Sequence, residues 1–99
     1  MKTGYTDGKR KRISKEAADV LQKIINEAEL QWLFFLMVEG EYATIVDIDY
    51  ENGRALQFEE GLKQLQARLT LIGKPVSAYH LTPAEIDVYH QLLQEYGVK

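Results

Sequence analysis

The chain has no cysteine, two prolines, one tryptophan and two histidines. Without thiols there is no disulfide, no thiolate metal site and no cysteine nucleophile. Such a composition fits a reducing compartment, so a cytoplasmic location is expected. A glycine-rich phosphate loop, a zinc-binding helix motif and a serine elbow are also missing, so the expectation is a non-enzymatic protein without a cofactor. The longest aromatic-aliphatic run, Trp32 to Val38, is far too short to span a bilayer, and no apolar run follows Lys2 as in a signal peptide, so no membrane partner is expected.

What is present is ordinary in amount and uneven in placement. A chain of 99 residues buries roughly 60–65% of the surface its unfolded form exposes, enough for one core without a metal. Residues 1–15 carry six cations against Asp7 alone, a charge of +5, which leaves −8 for the remainder of a chain whose net charge is −3. Residues 1–12 therefore read as a flexible basic arm and 13–99 as a single domain.

Within 13–99, Ser14 is a plausible N-cap, followed by Ala17, Val20, Leu21, Ile24, Ile25 and Ala28 on one helical face, which predicts a helix over about 14–29. Trp32–Val38 and Tyr42–Tyr50 read as two strands around Gly40-Glu41. Glycine at the first central position of a two-residue turn fits a type II′ hairpin. That turn fixes the register. Met37 opposes Thr44, Phe35 opposes Val46 and Leu33 opposes Ile48 on one face, whereas Val38–Ala43, Leu36–Ile45, Phe34–Asp47 and Trp32–Asp49 share the other.

A second helix is expected from Ala55, Phe58, Leu62, Leu65, Leu69 and Ile72, with Gly61 marking a close approach and Gly73-Lys74-Pro75 ending it. Lys74–Leu81 reads as a third strand. Thr82-Pro83-Ala84-Glu85 is a capping box that opens a last helix to about Tyr96. The predicted fold is α+β, in the order helix-strand-strand-helix-strand-helix. Its three-stranded, mostly antiparallel sheet has strand order 2-1-3, with the first strand central, and is flanked by helices.

Three sites follow from this layout. The sheet face bearing Trp32, Phe34, Leu36, Val38 and Ile45 is the expected interface, either of a homodimer or for another protein. Lys9, Arg10, Lys11 and Arg12 have the charge density to contact nucleic-acid phosphates, although the acidic body opposes such binding. Asp47, Asp49 and His80 fall on one face if the third strand lies beside the first, a candidate metal or acid–base cluster.

Overall fold

The computed structural model of the chain describes residues 10–98. Its elements are β1 (Lys11–Arg12), α1 (Lys15–Glu27), β2 (Phe34–Glu39), β3 (Tyr42–Asp47), β4 (Arg54–Leu56), α2 (Phe58–Ile72), a 3-10 turn (Val76–Tyr79) and α3 (Pro83–Glu95). The fold is α+β, with three helices and an antiparallel sheet of four strands.

The expected register holds along the strands, with Phe34 opposite Asp47, Leu36 opposite Ile45 and Met37 opposite Thr44. The strands span only Phe34–Glu39 and Tyr42–Asp47, however, and Trp32, Leu33, Ile48 and Asp49 lie in turns and Tyr50 in a bend. Gly40 adopts φ +62° while Glu41 keeps a negative φ, the combination for which glycine is favoured at the first turn position. Three features of the sheet differ from the expectation. The central strand is β3, flanked by β2 on one side and by both β1 and β4 on the other. The added strands come from segments read otherwise: Lys11–Arg12 from the basic arm, whose earlier residues through Lys9 lie outside the described residues, and Arg54–Leu56 from the start of the second helix. Lys74–Leu81 contributes no strand.

The last difference has a local cause. Val76 and Tyr79 are three apart, so one turn of 3-10 helix turns both toward the core, where Tyr79 is buried. Pro75 caps that turn and His80 leaves it with φ +60°. A strand would have placed Val76 and Tyr79 on opposite faces. Strand order 2-1-3, which required this segment to pair, is replaced by β2-β3 with β1 and β4 sharing the far edge of β3.

α1 and α3 begin where the sequence places their caps. Ser14 Oγ accepts from the Ala17 N–H (3.1 Å). At α3, Thr82 Oγ1 accepts from the Glu85 N–H (3.1 Å) while a Glu85 carboxylate oxygen accepts from the Thr82 N–H (2.9 Å). The same carboxylate lies 3.3 Å from Lys23 Nζ, tying α3 to α1. The Thr82 N–H is the main reason that the Glu85 pKa lies below its ordinary value, with Lys23 adding to the effect. Replacing Thr82 with alanine removes a partner of an otherwise orphaned helix N–H. The expected loss is about 1 kcal/mol, read as a fall of about 5 °C in melting temperature; an unchanged value would show that α3 needs no cap.

All three helices cover one side of the sheet. α1 lies beneath β2, α2 beneath β3, and α3 packs on α1. The core joins Val20, Leu21, Ile24 and Ile25 of α1 to Phe34, Leu36, Ala43 and Ile45 of the sheet and to Phe58, Leu62, Leu65, Tyr89 and Leu92 of α2 and α3. At the α2–β3 crossing Gly61 admits the sheet so closely that a Cβ there would stand 2.7 Å from Ile45 Cβ.

Candidate protein-docking surface

Strand alternation divides the sheet into two faces, and the packing of the helices decides which one is left to solvent. The covered face carries Phe34 (3% exposed), Leu36, Ala43 and Ile45 (1% exposed). The open face carries Phe35 (51% exposed), Met37, Tyr42 and Ile48. The interface expected on the first set is therefore corrected. Phe34, Leu36 and Ile45 form the interior of the monomer and are unavailable to a partner, while Trp32 (77% exposed) and Val38 (46% exposed) remain accessible beside it. Parity alone does not choose between two apolar faces of one strand, and the choice fell to the helices.

Seven of the nine exposed large hydrophobic side chains among the described residues lie between Trp32 and Tyr50. This concentration marks the hairpin as an apolar surface rather than a scatter of single residues. Arginines bracket it. At the hairpin tip the Arg10 guanidinium lies 5.4 Å from the Tyr42 ring centroid and 3.2 Å from a Glu39 carboxylate oxygen. At the other end the Arg54 guanidinium lies 4.9 Å from the Tyr50 ring centroid. Cation–π contacts of this kind hold aromatic rings in place at modest energy, about 0.5–1 kcal/mol at exposed positions.

The chain matches no family model, and neither a curated protein nor a solved structure matches it. The surface itself thus carries the functional reading.

The basic segment is drawn into this edge of the sheet. Arg12 Nη2 donates to both Glu41 carboxylate oxygens at 3.1 Å, and that hydrogen bond, followed by the charge of Glu41, raises the Arg12 pKa above its ordinary value. Arg10 and Arg12 each face a carboxylate. Lys11 lies opposite Ala43 in the sheet, and Lys9 lies outside the described residues.

The structure does not bring Asp47, Asp49 and His80 together. His80 Nδ1 lies 2.7 Å from Glu27 Oε1 at the end of α1, and Asp47 accepts from the Tyr50 N–H (3.3 Å) in the turn after β3. The proposed cluster required Lys74–Leu81 to be a strand beside the hairpin; as a 3-10 turn against α1 it carries His80 elsewhere. No group of three or more histidine or carboxylate side chains among the described residues is placed to hold a metal.

Sequence reasoning missed Phe35, Met37, Tyr42 and Ile48 as the open face. A signal was present at Gly61, because a glycine inside a strong helix points to a close neighbour, and that neighbour, Ile45, identifies its own face as the covered one.

Proposed function

We propose that this protein is a non-enzymatic protein-interaction module that docks a protein surface, its own or another's, on the open face of the hairpin. The observation that carries this reading is the apolar set Phe35, Met37, Tyr42 and Ile48, exposed on the hairpin, with the Arg10 guanidinium over the Tyr42 ring. Aromatic residues, methionine and arginine are the types enriched at the centres of protein interfaces. A nucleic-acid partner has less support, because phosphates would have to displace Glu39 and Glu41 from Arg10 and Arg12. No described helix is long and apolar enough to cross a membrane.

The reading is tested by replacing Tyr42 and Ile48 together with serine. Both are exposed, so the melting temperature should move by only a few degrees. Association measured by light scattering should strengthen when sulfate is added to the wild type, because sulfate favours apolar burial, and that increase should be lost in the double variant. Association that weakens with salt and survives both substitutions would sink the proposal.

A further inference from the structure

A second feature of the hairpin lies in its backbone. β2 is bonded to β3 along one edge, and among the described residues its other edge has no strand beside it. In an antiparallel pair, alternate residues direct their N–H and C=O groups inward and outward. The Ile48 N–H donates to the Leu33 C=O (2.8 Å), which assigns Leu33, Phe35, Met37 and Glu39 to the bonded set. Phe34, Leu36 and Val38 therefore face outward. The Phe34 N–H donates to the Leu30 C=O (2.9 Å), so the full donor and acceptor pairs available along this edge belong to Leu36 and Val38.

We propose that a second copy of this chain pairs antiparallel along that edge, with Leu36 of each copy opposite Val38 of the other and Met37 on the two-fold axis. This inference rests on the reading of the chain as an interaction module, but uses the edge of β2 rather than the open face. In this register each outward N–H and C=O of Leu36 and Val38 meets a partner. The neighbouring register, Leu36 opposite Leu36, sets each Val38 C=O against a Phe34 N–H that Leu30 already holds. The two free pairs, Leu36 and Val38, lie symmetrically about Met37, so the edge of a second copy turned by a two-fold axis presents the same two pairs in complementary order.

The paired part of β2 carries little that defends the edge. Phe34 to Val38 includes no lysine, no proline and no charge, the one charge of the strand being the terminal Glu39, and the register with β3 runs without a bulge. The flank is equally permissive. Between the edge and α1 runs a groove of about 350 Å³ lined by Ile13, Ala18, Leu36 and Val38, with Lys15 and Asp19 on its rim. Lys15 Nζ lies 2.9 Å from the Asp19 carboxylate, so two such rims meet without a net like charge. Val38, half exposed in one copy, would lie against Leu36 of the other over this groove.

The test uses Val38→Pro, which removes an outward N–H and no hydrogen bond of the monomer, in a position where edge strands tolerate proline. Light scattering should give twice the 11.4 kDa chain mass for the wild type at high concentration and the single-chain mass for the variant, with unchanged helical circular dichroism. Should that variant not fold, Val38→Lys supplies the same comparison. In the wild type, amide exchange at Leu36 and Val38 should slow by at least about tenfold between dilute and dimeric samples. A wild type that stays monomeric overturns the proposal, as do Leu36 and Val38 amides that exchange freely in the dimer. A dimer that survives Val38→Pro but not the Tyr42 and Ile48 double substitution also overturns edge pairing, while leaving the open face as the docking site.

Discussion

Gly61→Ala should lower the melting temperature by about 10 °C, although alanine is the better helix former. In an open helix the change is worth about 1 kcal/mol in favour of alanine. Here the new Cβ would stand 2.7 Å from Ile45 Cβ and 2.9 Å from both Ile45 Cδ1 and Cγ2. Ile45 is fixed in the central strand, bonded on both sides, so it cannot turn away and α2 must lift from β3. Overpacking of this kind costs about 1–3 kcal/mol, sometimes more. Contacts this short call for the upper end, about 3 kcal/mol, which less the roughly 1 kcal/mol gained leaves a net loss of about 2 kcal/mol. At about 4–8 °C per kcal/mol for a domain of this size, the thermal transition reads it directly. Ile45→Ala alone leaves a cavity and costs about 2–5 kcal/mol. Combined with Gly61→Ala it should cost less than the sum by at least about 1 kcal/mol, since each change relieves the other. Strict additivity, or a raised melting temperature for Gly61→Ala, would remove the close crossing of α2 and β3 from the account of the core.

Stability should also fall steeply above pH 10, and Tyr89→Phe should abolish most of that slope. Tyr89 is the largest fully buried side chain, and its hydroxyl donates to Gln66 Oε1 at 2.7 Å. Burial, and to a smaller extent the neighbouring Tyr79, pushes the Tyr89 pKa well above its ordinary value. The folded phenol thus keeps its proton where the unfolded one, with a pKa near 10, has lost it. A folded pKa above the unfolded one means that the stabilising contribution is complete below about pH 10. It is lost as the pH rises from there toward the folded value, at up to about 1.4 kcal/mol per pH unit. Tyr96 is raised in the same direction, first by burial and then by Glu95, but is only partly buried and contributes less. Urea midpoints between pH 9 and 12 should therefore drop by an amount equivalent to about 2 kcal/mol in the wild type and far less in Tyr89→Phe. At pH 7 the variant should lose only about 1 kcal/mol, the hydrogen bond to Gln66. Equal slopes for the two proteins would assign the alkaline transition to other groups.

Much of this architecture is legible in the sequence where a local device has a single solution. Gly40 permits one short turn, and that turn sets the hairpin register; Ser14 and the Thr82–Glu85 box start their helices on the expected residues. What escaped reading depends on packing between elements. Ala55 fits the helical repeat of α2, but Arg54–Leu56 completes the edge of β3 instead, where Leu56 pairs with Ile45 over the core. The segment after Pro75 alternates like a strand, yet the three-residue spacing of Val76 and Tyr79 suits a single 3-10 turn equally well, and the surface offered by α1 chose between them. The candidate site followed the same pattern. The hairpin is legible as the aromatic-rich apolar segment, whereas which of its faces meets solvent was settled by Gly61 against Ile45, a contact between residues 16 positions apart.

The two sides of the sheet end differently, and this limits how the molecule can grow. Along β2 the edge is six residues long, while beyond β3 it is broken into a two-residue and a three-residue strand. Fragments that short are poor templates for further pairing. A sheet with one usable edge adds a neighbour on that side alone, and once two such edges meet there is none left to extend. Strand addition to this protein is thus self-terminating. Pairing through β2 alone therefore closes at two copies and cannot by itself run on into a fibre.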